Sequence, residues 1–383
     1  MAARPQQAYR LFFPAAAIHA AVVVPLSVLV MTTSLSWPSG FIGPGHGFEM
    51  FFGFALAVVA GYTLGPVSRN LLLALFSLWL AARLAQWVAP FSVLALVLSA
   101  AFALALGWQV IPRFLAAKKW RNRIMLPLLG ALCLLPLAYG LAWLTGYPDL
   151  VRLMLMEAVV LFGLLMAFMG GRVIAPAVAG EFDRQKLKLE ARVQPGVEAG
   201  FILLLVLAAL LLPISALTLP AGMAASAAGL LLLIRLSRWR LWHCSSRPDL
   251  LGLALGYFWL AVGFVALGGA IILQAAPQAV LHIITVGAMG TLTTGVMVRI
   301  HFQRNRRTPP PTALVVFMVI LLALALLARL GAAAAPLEFH RILLWCSALF
   351  WAGAFAGLAA VLTGIFNISG ETGRYHAAEA INR

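Results

Sequence analysis

Apolar residues run along this chain in blocks of about twenty, broken by short polar or basic connections. Such blocks lie near 11–32, 48–68, 70–89, 91–111, 124–145, 150–170, 197–218, 219–236, 250–273, 278–299, 312–332 and 341–365. A helix of about 20 mostly apolar residues crosses a hydrocarbon core roughly 30 Å thick. The pattern therefore predicts an all-α fold, a polytopic transmembrane helical bundle of about twelve spans in one integral-membrane domain over 1–383. The stretches 48–89 and 197–236 each hold two spans that nearly run together. The first block is too long for a signal-peptide core and has no small-residue cleavage site behind it, so it reads as a retained span.

Composition agrees: 63% of the 383 residues are apolar and 10% charged, against about 45–50% and 25% in a soluble domain. That excludes a soluble enzyme, a secreted disulfide scaffold and a disordered tail. The charge is one-sided, with 27 Lys and Arg against 11 Asp and Glu, formally +16. Basic residues collect on the cytoplasmic side of membrane proteins. Here they follow every second span. Arg69 follows span 2, and Arg113, Lys118, Lys119, Arg121 and Arg123 follow span 4. Arg172, Arg184, Lys186, Lys188 and Arg192 follow span 6. Arg235, Arg238, Arg240 and Arg247 follow span 8, and Arg299, Arg304, Arg306 and Arg307 follow span 10. With Arg4, Arg10, Arg374 and Arg383 in the tails, only Arg83, Arg152, Arg329 and Arg341 lie elsewhere. Both termini are thus expected in the cytoplasm. The same distribution removes nucleic acid as a partner, since lipid headgroups and topology account for the excess.

The three cysteines form no C-x-x-C, so neither an iron–sulfur cluster nor a c-type haem attachment is supported. No phosphate-binding loop of the G-x-x-x-x-G-K-[ST] type occurs. The longest extramembrane segment, near 171–196, is too short to fold alone, so any chemistry is housed among the helices. No repeat of 20–50 residues is visible.

Ionisable residues inside a membrane are costly and are functional candidates by default. His46 precedes span 2 in Gly43-Pro44-Gly45-His46-Gly47-Phe48-Glu49-Met50. In an α-helix Glu49 and Met50 follow it on one face, and a carboxylate beside an imidazole can orient it for a metal. The competing reading is a glycine-rich loop whose His and Glu face water. Gly53, Ala57 and Gly61 continue the face as a small-residue stripe. His282 sits one turn into span 10, roughly in line with Met289, beside a second stripe of Gly287, Thr291 and Gly295. A packing span with a hydrogen-bonded histidine competes there. Both histidines fall towards the outer side, and two imidazoles suit the axial positions of a b-type haem, while imidazole with thioether suits copper.

His19, near the middle of span 1, either hydrogen-bonds a carbonyl or ligates something. Glu157 in span 6 is a proton-relay candidate or the partner of Arg83 or Arg152. Arg172 and Arg299 complete the polar residues at or in the membrane. His340 reads as part of a short outer loop, His243 and His301 as interfacial, and His376 as tail; Asn367, in N-I-S, falls on the cytoplasmic side.

Several of these segments together resemble the NnrS family of bacterial membrane proteins. Tyr9-Arg10-Leu11-Phe12-Phe13-Pro14 resembles its Arg-x-Phe-Phe start. His46-x-x-Glu49-Met50-x-x-Gly53-Phe54 resembles its His-x-His-Glu-Met…Gly-Phe segment, and Gly171-Arg172-Val173-Ile174-x-Pro176 its Gly-Arg-(Val/Ile)-Ile-Pro turn. The longest likeness runs from Leu281-His282 through Thr285-Val286-Gly287-Ala288-Met289-Gly290-Thr291 to Gly295-Val296-Met297-x-Arg299. The resemblance spans the chain in span count, and its specificity rests mainly on span 10. It departs at Phe48, where the family's second histidine would stand, at Arg304 and Arg307, which replace its Gly-His-Thr-Gly-Arg, and at Ala254, before Leu255-Gly256-Tyr257. The family's Pro-Arg-x-Asp-Gly ending is absent, which marks a divergent, shorter branch.

The resemblance implies a haem-binding, copper-binding protein of the bacterial inner membrane, linked to nitric oxide tolerance and denitrification. His46 and His282 are then the leading ligand candidates for haem b, followed by His19 and Met289. His46, His282, Glu49 and Met50 are the candidates for copper. Its partners would be the bilayer and nitric oxide or another haem ligand. Two or three histidines suit binding or sensing better than turnover. The alternative is a proton-coupled twelve-helix secondary transporter using Glu157, which predicts helix breaks near that residue; only Gly163 is close. A haem–copper oxidase subunit is excluded by the shortage of closely spaced histidines.

Overall fold

A computed structural model of the chain describes residues 5–33, 35, 39–115 and 123–365. Arg4, Lys118, Lys119, Arg121, Asn367, Arg374, His376 and Arg383 lie outside the described residues.

The described chain is almost wholly helical. The long helices are α1 (Tyr9–Thr32), α4 (Arg69–Val88), α5 (Val93–Leu115), α6 (Met125–Leu144), α7 (Pro148–Arg184), α8 (Pro195–Leu211), α9 (Thr218–Arg238), α10 (Pro248–Ile272), α13 (Thr312–Ala334) and α14 (Leu337–Leu362). Two further helical stretches change pitch part-way. The first runs α2 (Pro44–Phe48), π1 (Glu49–Ala55) and α3 (Leu56–Thr63). The second runs α11 (Gln278–His282), π2 (Ile283–Gly290) and α12 (Thr291–Asn305). Eleven helices are long and apolar enough to cross a membrane. The stretch 44–63 is the twelfth apolar stretch. The molecule is a multi-pass membrane protein.

Three boundaries differ from the sequence expectation. The second stretch runs over 44–63, four to five residues earlier than predicted. Pro44 opens it as a first-turn proline, and Gly65 at φ +59° with Pro66 turns the chain after it. Helix α7 continues fourteen residues past position 170, because Ile174, Val178 and Phe182 recur at i, i+4 and i+8 and are all buried. Arg172 therefore lies on a helix, and the loop after α7 is shorter than expected. Helix α14 begins at Leu337, so His340 belongs to its first turn, where its Nδ1 lies 2.7 Å from the Ala332 carbonyl oxygen.

The helices gather into two compact units, 1–162 and 163–383. In the first, α1 packs along α3 and π1, α4 along α5, and α5 along α6. A two-residue antiparallel pair, β1 (Gln6–Gln7) with β2 (Pro66–Val67), ties the start of α1 to the α3–α4 turn. In the second unit, α9 packs against α8 and α10, α10 against π2 and α12, and α13 against α14.

Candidate functional site

Both π segments begin just past a candidate histidine. A π-turn closes i→i+5 bonds and is a frequent feature of functional sites. Here each holds glycine, and at Gly53 the reason is direct. A Cβ there would lie 2.5 Å from His19 Nε2 and 3.1 Å from both Arg83 NH1 and Glu49 Oε2.

Those three side chains form one buried chain in the first unit. Glu49 is fully buried. Its Oε1 accepts from Arg83 NH1 at 2.7 Å, and its Oε2 lies 2.9 Å from His19 Nε2. Arg83 also donates through NH2 to Ser99 Oγ at 2.6 Å, and Ser99 in turn donates to the Ala95 carbonyl at 2.8 Å. Trp79 braces the π-turn by donating to the Gly53 carbonyl at 2.9 Å, and its ring meets the His19 ring edge-on. Four helical stretches thus converge on one carboxylate. A buried ion pair must recover the desolvation of both charges through geometry and added hydrogen bonds; here Arg83 donates to both Glu49 and Ser99, while Arg83 Nε has no hydrogen-bond partner among the described residues.

The arrangement differs from what spacing alone offers. The Glu49 oxygens go to His19 and Arg83, while His46 Nδ1 lies 2.9 Å from Ser27 Oγ, which itself donates to the Val23 carbonyl. His19 meets a carboxylate, neither of the two partners considered for it. Arg83 serves Glu49, and Arg152 serves Asp149 at an exposed site, so neither pairs with Glu157. Glu157 is 8% exposed, and its Oε1 has no hydrogen-bond partner among the described residues. Met50 is half-buried.

In the second unit His282, half-buried, has Nδ1 2.7 Å from the Gln278 carbonyl oxygen, and Met289 is buried. Arg172 lies over the Phe168 ring at 4.3 Å. Arg299 donates to Asp249 Oδ2 at 2.6 Å. Asp249 is also gripped by Arg247, which reaches Glu181 at 3.2 Å. Cys244 is buried beside this cluster. Burial pushes its thiol pKa up, the Glu181 and Asp249 carboxylates add to the rise, and Arg247 opposes it.

A further network has no counterpart in the sequence reading. Arg235 falls among the loop charges there, yet it lies in the last turn of α9 at 3% exposure. It donates to the Ala167 carbonyl, the Tyr257 hydroxyl and Glu198 at 3.1–3.3 Å, with Phe201 and Trp239 against its guanidinium. Gly171 leaves the space that this guanidinium fills. The one signal is the lone acidic residue Glu198 in the first turn of an apolar helix.

These donors test two cofactors differently. A histidine that would hold a haem iron through one ring nitrogen is commonly oriented by a hydrogen bond through the other. His46 and His282 each have Nδ1 so engaged, so a metal would be met through Nε2, and His19 has Nε2 against Glu49, so a metal would be met through Nδ1. An all-protein metal centre asks for more. Among the described residues no three His, Cys, Asp or Glu side chains are grouped to hold a metal ion.

A protein-family model described as NnrS protein matches residues 5–367. No curated protein matches the chain.

Proposed function

The chain belongs to the NnrS protein family, and from that premise we propose that it is a haem-binding protein of the bacterial inner membrane acting in nitric oxide tolerance. The observation that carries the reading is the histidine at the mouth of each π segment with its Nδ1 already engaged, on Ser27 for His46 and on the Gln278 carbonyl for His282. A neutral imidazole fixed in this way offers Nε2 to iron, and a hydrogen bond at the other ring nitrogen raises its basicity. Haem bound there would supply an iron site for a diatomic ligand. The chain's own part is to orient the rings, with Phe48 and Phe52 buried in the first unit.

The test is an absorption spectrum with metal analysis of detergent-solubilised protein from haem-replete cells. A Soret band is expected, weakened in His46→Ala or His282→Ala. A colourless, iron-free preparation would sink the reading.

A second reading keeps one specific support. Glu157 is a buried carboxyl with an oxygen lacking a partner among the described residues, as a proton carrier in a transporter would be. Its helix α7 runs unbroken past it, whereas transporter sites favour interrupted helices. Proton-coupled uptake into proteoliposomes, lost in Glu157→Gln, would favour it.

A further inference from the structure

We infer that the chain carries two copies of one four-span module, α1–α5 and α10–α14, and that the His19–Glu49–Arg83 chain is a ligand-positioning site that only the first copy bears. Both copies have the same order of parts: a long helix, a five-residue helix leading into a π segment and a further helix, then two long helices. Their internal packing follows suit. The first helix lies along the π stretch, and the last two lie along each other.

The register of side-chain contacts agrees position by position. Gly53 faces His19 and Gly61 faces Phe13 in the first copy; Gly287 faces Trp259 and Gly295 faces Leu253 in the second. The paired glycines are eight residues apart in both copies, and the side chains they face are six apart in both. With those offsets Arg83, beside Gly53, matches Leu326, beside Gly287. The Phe12–Phe76 ring contact at 5.7 Å matches Gly252, whose Cβ position lies 3.0 Å from Val319. Ser99, which meets Arg83, matches Ser347, whose hydroxyl donates to the carbonyl of Ala325, next to Leu326. Aligning the two π segments on Gly53 and Gly287 sets Glu49 opposite Ile283.

The second copy therefore builds the same packing with Trp259, Ile283 and Leu326 where the first has His19, Glu49 and Arg83. A module that closes around apolar side chains does not need a buried ion pair to fold, and buried pairs often exchange for apolar residues without loss. The charged chain then has another use. A carboxylate on one imidazole nitrogen, itself fixed by an arginine, holds the ring for ligation through the other nitrogen. His19 would be the ligand to haem iron, with Glu49 and Arg83 as positioning residues. This step rests on the cofactor reading above.

The test compares the whole protein with the triple variant His19→Trp, Glu49→Ile, Arg83→Leu, which installs the second copy's side chains. Thermal unfolding in detergent, the Soret spectrum and the iron and copper content are read together. The expected triple variant unfolds within a few degrees of wild type and loses or shifts its Soret band. Leu326→Ala should do the reverse, lowering the unfolding temperature with the spectrum unchanged. Glu49→Gln should move the Soret maximum, which a purely structural brace would not do. A triple variant that fails to fold, or that folds with an unaltered spectrum and metal content, overturns the inference. A wild-type protein without iron defeats the cofactor reading and the ligand role of His19, while the unfolding data still decide whether the charged chain is a brace.

Discussion

Glu49 stands out in the sequence, but its partners do not. Spacing offers it to His46 because i and i+3 share a face at 3.6 residues per turn. The π segment begins at Glu49 itself, so that rule fails at the residue to which it is applied. The partners it does have come from α1 and α4, at sequence separations no local rule can reach. The energetics give a non-additive prediction. Glu49→Ile alone strands Arg83 in an apolar interior, and breaking a buried pair from one side costs about 3–5 kcal/mol. The triple replacement described above should unfold at a higher temperature than this single variant, and equal or reversed midpoints would contradict the pairing. Cys244 gives a second residue-scale test. Its thiol ionises less readily than a free one, chiefly through burial. A group with its pKa raised by folding contributes stability that is complete below the unfolded thiol value and is lost as pH rises through the folded one. Alkylation of Cys244 in the native protein should be slow near neutral pH and rise sharply on denaturation. Prompt native labelling would count against its burial.

Among the elements, the spans are the most legible part of the chain, because a length of about 20 apolar residues is nearly all a membrane crossing requires. The π segments are not legible. Their glycines show as small-residue stripes at i+4, a pattern shared with ordinary helix packing, and a change of pitch leaves no separate mark in composition. The far end of α7 is hidden because Arg172 and Pro176 read as the start of a loop, while the buried Ile174, Val178 and Phe182 carry the helix on. Elsewhere small residues do set a helix contact. On α9, a Cβ at Gly229 would lie 2.6 Å from the Ala261 carbonyl oxygen, and one at Gly222 would lie 2.9 Å from that of Gly268 on α10. The obstacle in both cases is backbone, which a side chain cannot push aside cheaply. Gly229→Val should force α9 and α10 apart and lower the unfolding temperature by several degrees. Gly180→Ala, inside α7 with nothing within 4 Å of its Cβ position, should not lower it and is expected to raise it slightly, since Ala is the better helix former.

For the whole molecule, charge is the record of orientation. Basic residues cluster in every second connection and in the tails, and by the positive-inside tendency both termini would lie in the cytoplasm. The structure moves some of these charges without disturbing that argument. Arg172 and Arg235 lie on helices and make specific buried or ring contacts, so part of the basic excess also holds helices together. The connections most clearly left to solvent carry the test. Lys188, between α7 and α8, and Tyr147, between α6 and α7, are both exposed and lie at opposite ends of α7. Single cysteines placed there, in a background with Cys133, Cys244 and Cys346 replaced by Ala, should differ in their reaction with a membrane-impermeant maleimide. Tyr147→Cys should label in intact spheroplasts, and Lys188→Cys only after the membrane is opened. The reverse pattern would invert the topology and move His46 and His282 to the cytoplasmic side. Nitric oxide crosses the bilayer from either face, so the site could still meet its ligand there, but the outward placement of the proposed haem ligands would have to be abandoned.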